Sequence, residues 1–117
     1  MHVILDIFSG RPNPTWELSQ QQANEFLKRI YYLKPTKIFH DDNGLGYRGF
    51  IVEDKLKRFE VNNGLVKVVE NNSEQMLQDK DYTLEVWLAH TAPNNIDHNL
   101  LKIVEENIKE RKKHPDK

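Results

Sequence analysis

Two residues near the middle of the chain, Asn63-Gly64, limit its fold more than any other pair. Asn-Gly is the preferred content of a two-residue type I′ turn, whose twist suits a pair of antiparallel strands. With that turn, Val61 falls opposite Val66, Phe59 opposite Val68 and Lys57 opposite Glu70, while the other face sets Glu60 against Lys67 and Arg58 against Val69. Apolar meets apolar and opposite charges meet twice, each such pair contributing roughly 0.2–1 kcal/mol. A slip of one residue would destroy this agreement, so the sequence predicts a hairpin over 56–70 in a single register.

Other elements arrange themselves around it. Val3, Leu5 and Ile7 alternate with Ile4, Asp6 and Phe8, the pattern of a strand with one buried face, and 15–18 reads as a short second extended piece. Ser19 and Gln22 form a capping box that opens a helix over 20–33, with Ala23, Phe26, Leu27, Ile30 and Tyr31 as its apolar stripe and Pro35 as its stop. A polar loop over 39–44 leads to a strand over 47–52. Residues 71–80 are polar and read as a loop with at most one helical turn. The 82–91 segment fits either period; Ala, Leu and Glu content and Pro93 favour a short helix. Asp97 caps a last helix whose stripe is Leu100, Leu101, Val104 and Ile108, with Ile96 as a staple and a basic tail from about residue 110 that suits a helix C-terminus. The expectation is one α+β domain over 1–117, an antiparallel sheet of about four strands with two or three helices packed on one face.

Composition narrows the function classes. Seventeen basic residues against eighteen acidic leave a formal charge of −1, which argues against a general nucleic-acid binder. No apolar stretch approaches the roughly 18 residues needed to cross a bilayer, and the first apolar run contains Asp6 and lacks a basic lead, so a cytoplasmic location without membrane attachment is expected. There is no cysteine, which excludes disulfides, thiolate metal sites and thiol nucleophiles.

The most unusual segment is Ser9-Gly10-Arg11-Pro12-Asn13-Pro14-Thr15, ending against Trp16. Its prolines fix φ and remove two donors, so the segment continues neither a strand nor a helix. A stiff loop that presents Arg11 beside Trp16 suits recognition, because both side chains supply binding energy and little entropy is lost on docking. Arg11, Asn13 and Trp16, joined by Tyr47 and Arg48, are the candidate partner-binding residues. The opposing reading makes Trp16 and Tyr47 core residues and the arginines their solvated neighbours, and the sequence leaves both open. Asp6, within an apolar strand, needs a partner if buried. Arg11 or Arg48 can serve, either as a structural ion pair bracing the loop or, with Asp6 as a base, around a bound small anion.

Other chemistries are weaker. Gly44-Leu45-Gly46-Tyr47-Arg48-Gly49 spells G-x-G-x-x-G, yet a strand rather than a helix follows it; a dinucleotide loop needs the helix. The simpler reading is that glycines 44 and 46 shape a turn and Gly49 leaves room for a neighbour. His40-Asp41-Asp42 offers metal-ligand types, but adjacent residues rarely converge on one ion. Ser9 lacks a nucleophile motif, and Asp41-Asp42 and Glu105-Glu106 are neighbours that point apart rather than paired carboxylates. No catalytic residue, metal site or cofactor is assigned.

The segments Phe8-Ser9-Gly10-Arg11-Pro12-Asn13-Pro14 and Leu45-Gly46-Tyr47-Arg48-Gly49-Phe50 together resemble the paired signatures of a family of small, largely uncharacterised proteins, with a looser likeness at Leu84-Glu85-x-Trp87-Leu88. The chain is also similar to the small accessory component that works beside radical S-adenosylmethionine spliceases, enzymes that excise a tyramine unit from a ribosomally made precursor peptide. No functional residue is carried over from that component. The resemblance implies a non-catalytic accessory or adaptor protein that binds a protein or peptide partner, with the iron–sulfur chemistry on the partner enzyme. From the residues themselves, the 56–70 hairpin is expected to offer an unpaired edge for β-strand addition, and a small enzyme or anion-binding protein using Asp6, Arg11 and Arg48 is the rival.

Overall fold

In a computed structural model of the chain, which describes residues 1–38 and 46–113, Asn63 and Gly64 both take positive φ (61° and 79°) and close the hairpin. All five pairs named above are present. Of the two opposite-charge pairs, Lys57 lies 3.9 Å from Glu70 as the register implies, whereas Glu60 and Lys67 turn to other partners. Lys67 reaches Glu74 at 3.4 Å, and Arg58 lies 3.3 Å from Glu60 and 3.8 Å from Glu53. The polar face is therefore a ladder spread over four strands.

Among the described residues those strands belong to a sheet of seven: β1 (His2–Leu5), β2 (Thr15–Glu17), β3 (Lys34–Pro35), β4 (Phe50–Glu53), β5 (Lys57–Asn62), β6 (Leu65–Glu70) and β7 (Ser73–Gln78). Their order is β2-β1-β4-β5-β6-β7-β3, and every neighbouring pair is antiparallel. The α+β class is as expected, but the sheet is larger than four strands. The main addition is β7, where the sequence pattern indicates a polar loop. Asn71 and Asn72 both adopt positive φ (49° and 66°), so they close a second two-residue turn; Asn tolerates that region better than most residues. β7 is polar because only Leu77 is buried.

This third strand overturns the expected edge for strand addition. β5 lies between β4 and β6, and β6 between β5 and β7, so neither hairpin strand has a side left open.

Helix α1 (Gln20–Tyr31) opens with the expected capping box: Ser19 Oγ accepts from Gln22 N at 3.1 Å, and Gln22 Oε1 from Ser19 N at 2.9 Å. The 82–91 segment resolves as helix α2 (Thr83–His90), and α3 (His98–Lys113) begins where Asp97 Oδ1 accepts from Asn99 N. Inward-facing Val3, Phe50, Val52, Phe59, Val61 and Val66 form one apolar cluster with Phe26 of α1, Leu84 and Leu88 of α2, and Val104 and Ile108 of α3. Among the described residues no helix is long and apolar enough to cross a membrane. The 39–44 loop, His40-Asp41-Asp42, Gly44, Leu45 and His114 lie outside the described residues.

Candidate functional site

The proline-braced loop connects β1 to β2, and its shape is set by side chains on both flanks. Asn13 Oδ1 accepts from the backbone N–H groups of Ile7 (3.0 Å) and Phe8 (2.8 Å), so the turn is closed by a side chain where Pro12 and Pro14 supply no donor. Leu5 N–H donates to Pro14 O at 2.9 Å. Asn13 Nδ2 leans toward Asp6 Oδ1 at 3.4 Å. From β4's approach, Arg48 Nη2 donates to Asp6 Oδ1 (2.8 Å) and to Phe8 O (3.0 Å), and Nη1 stands 3.4 Å from Ser9 Oγ. The 8–14 loop and Arg48 are thus one physical unit.

Gly49 makes that junction possible. Asp6 N–H donates to Gly49 O and Asp6 O accepts from Arg48 N, so two residues of one strand face one of the other. Gly49 has φ 94°, and a Cβ there would fall 2.2 Å from Val61 O. The room that the sequence reading assigns to this glycine is filled by the backbone of β5.

The five candidate partner-binding residues separate. Arg11 is exposed, with its guanidinium carbon 3.7 Å from the centre of the Phe8 ring, and among the described residues it donates no hydrogen bond. Asn13 and Arg48 are committed to bracing the loop. Trp16 and Tyr47, each 6% exposed, lie in the core, so neither of these two rings is presented beside Arg11. Trp16 packs edge-on to Phe50 and donates from Nε1 to Thr91 Oγ1 at 2.9 Å. An indole and a phenol each combine a large apolar body with one polar atom, and both polar atoms here find partners inside. Asp6 pairs with Arg48, and each side chain is 22% exposed.

Tyr47 leads to a buried polar cluster that the sequence does not announce. Its hydroxyl donates to Glu85 Oε2, whose other oxygen accepts from Asn63 N in the hairpin turn at 3.1 Å. Asp79 accepts from Leu84 N (2.8 Å) and Glu85 N (3.0 Å), satisfying the first turn of α2 from a position before the left-handed pair Asp81 and Tyr82. Arg111 closes the cluster from α3, donating to Asn62 Oδ1 (2.5 Å) with its guanidinium carbon 5.4 Å from the centre of the Tyr47 ring. Burial pushes the Glu85 carboxyl up to about 7, against the opposing pull of the Tyr47 hydroxyl and Arg111. Burial, then the Glu85 charge, pushes the Tyr47 hydroxyl well above the usual phenol range, so it keeps its proton and donates. Burial also raises Asp79. With Glu85 wholly buried, this cluster holds α2, α3 and the hairpin together rather than facing a ligand.

A second surface lies at the other end of the sheet. Between α1 and the inner face of β5, β6, β7 and β3 runs a groove of about 500 Å³, lined by Leu27, Tyr31, Phe59, Val68, Gln75 and Leu77 among others. Leu27 and Tyr31 belong to the apolar stripe of α1, yet they are 43% and 81% exposed. The stripe is wider than the sheet beneath it covers, which a helical pattern alone does not reveal. A smaller depression beside Asp79 carries Lys28, Arg29 and Lys80, but Asp79 already holds the α2 amides and Glu25 pairs with Arg29 at 2.9 Å. Among the described residues no three His, Asp or Glu side chains gather to hold a metal. Compared with protein-family models, with curated proteins and with solved structures, the chain matches none.

Proposed function

We propose that this chain is a non-catalytic accessory or adaptor protein whose proline-braced loop engages a protein or peptide partner through Arg11. The observation that carries this reading is the loop's construction. Asn13, Asp6 and Arg48 hold the backbone from both sides, while the Arg11 guanidinium rests on Phe8 with its donors uncommitted among the described residues. Such a group meets a partner's carboxylate or carbonyl with little ordering left to do. The rival reading, a small anion held by Arg11 and Arg48 with Asp6 as a base, is less favoured because the Arg48 charge is already offset by Asp6 at 2.8 Å.

The resemblance to splicease accessory components makes a radical S-adenosylmethionine enzyme and its precursor peptide the first partners to assay. Affinity capture from the native cell with the tagged wild-type chain, followed by mass spectrometry, should retain a partner that Arg11→Ala does not. The variant's melting temperature should stay within about 2 °C of wild type, since the side chain removed is exposed and its contact is a solvent-facing one with Phe8. A partner retained equally by both proteins refutes the role of Arg11, and unfolding of the variant would show the residue to be structural.

A further inference from the structure

We propose that Asn63 is a modification site of the folded chain, where Gly64 N closes on the side-chain amide and converts it, through a cyclic imide, to a carboxylate. The step balances with water alone. Gly64 N loses its proton to solvent and bonds to Asn63 Cγ, Nδ2 leaves as ammonia, and water then opens the ring at either carbonyl to give aspartate or isoaspartate. Glycine favours attack because no side chain shields its nitrogen; backbone geometry decides the rest. Ring closure needs Gly64 N eclipsed with Asn63 Cβ about the Cα–C bond, whereas in a left-handed residue the next nitrogen stands nearly trans to Cβ. Asn63 has φ 61°. That value also suits the first central residue of a type II′ turn, the other common two-residue hairpin turn. Turning over the single peptide plane between Asn63 and Gly64 therefore interconverts the two turns and carries Gly64 N to Cγ.

The hydrogen bonds pin the peptide planes on both sides and leave this one unheld. Asn63 N–H donates to Glu85 Oε1 at 3.1 Å, Gly64 O accepts from Asp79 N at 2.8 Å, and Asn62 pairs with Leu65. Asn63 O and Gly64 N–H, which belong to the plane between, bond to no other described residue. The same bonds set the neighbouring asparagines apart. Attack on Asn62 needs Asn63 N, which Glu85 holds, and attack on Asn72 needs Ser73 N, which closes its turn against Glu70. Attack on Asn71 comes from Asn72 N, shielded by its own side chain. In the flipped turn asparagine is strained where glycine is preferred, so the reaction is slower than in an unfolded chain by roughly ten- to a hundredfold. Isoaspartate lengthens a two-residue turn by one backbone carbon, so this product no longer fits the hairpin register.

This site is independent of the loop and of any partner. The full chain is incubated in mildly alkaline buffer, folded or in urea, and sampled over time by tryptic digestion and mass spectrometry. Peptide 59–67 carries Asn63, and peptide 68–80 carries Asn71 and Asn72. Isoaspartate is scored with a carboxyl methyltransferase specific for it. In the folded chain, peptide 59–67 should show the mass gain of an amide-to-acid exchange and accept methyl groups, at roughly a tenth to a hundredth of its rate in urea. Relative to its own rate in urea, peptide 68–80 should be slowed far more. Val3→Ala, which opens a cavity in β1 at a fully buried position, lowers global stability and should leave the rate at Asn63 unchanged while circular dichroism shows the chain folded. If modification requires unfolding, the folded chain is protected by at least about a thousandfold and Val3→Ala accelerates the reaction in step with its loss of stability. Either of those results overturns the proposal, as does equal protection of the two peptides.

Discussion

Glu85→Gln should flatten the pH dependence of stability. In the folded chain the Glu85 carboxyl is wholly buried and is raised from 4.5 to about 7, chiefly by loss of hydration. Below pH 4.5 both folded and unfolded chains carry its proton, and the stabilisation from the raised value is fully present. Between pH 4.5 and about 7 the folded chain binds a proton that the unfolded chain has released, so stability falls as pH rises. At about 1.4 kcal/mol per unit, the loss through this one group reaches about 3 kcal/mol by pH 7. Glutamine keeps an acceptor for Asn63 N–H and a group that can bond the Tyr47 oxygen, but it does not titrate. Urea unfolding of both proteins, followed by far-ultraviolet circular dichroism from pH 4.5 to 8, isolates the effect. Whatever the two proteins have in common cancels in the difference. Glu85→Gln should gain about 3 kcal/mol relative to wild type across that range. A difference that stays flat within about 0.5 kcal/mol would show that Glu85 is ionised throughout, and the account of the buried cluster would fail.

Two further outcomes follow from the loop junction. Gly49→Ala places a Cβ 2.2 Å from Val61 O at a φ of 94°, so it should destabilise by more than about 3 kcal/mol in the same unfolding assay; a near-neutral result would mean that β4 and β5 are not so closely apposed. Asn13→Ala strips the acceptor from the Ile7 and Phe8 amides, and should cost about 1–3 kcal/mol while speeding hydrogen exchange at those two amides ahead of the core.

The parts of this fold that could be read from sequence were those where backbone chemistry and side-chain pattern agree. Asn63-Gly64 names its own turn, and alternation on both sides fixes the register. Ser19 and Gln22 name the start of α1. β7 lacks such agreement, since Ser73–Gln78 carries few apolar residues and its turn uses Asn71-Asn72 instead of Asn-Gly. Trp16 and Tyr47 were ambiguous in principle, because a large ring with one polar atom is equally suited to a surface or to a core that satisfies that atom. The burial of Glu85 was not legible at all. A glutamate in a short helical pattern reads as solvated unless its partners, here distant Tyr47 and Asn63, are known to converge on it. The groove escaped notice for the opposite reason: Leu27 and Tyr31 fit an apolar stripe so well that the pattern implied they were covered.

Arg48 reaching Asp6, Phe8 and Ser9 has a consequence for engineering. Neither segment is portable alone: transplanting 8–14 into another scaffold without a guanidinium arriving from a neighbouring strand would yield a floppy insertion, and keeping Arg48 without that loop would leave it Asp6 but take away Phe8 O and Ser9 Oγ. A graft must move both, at the spacing that one bulged strand pair imposes.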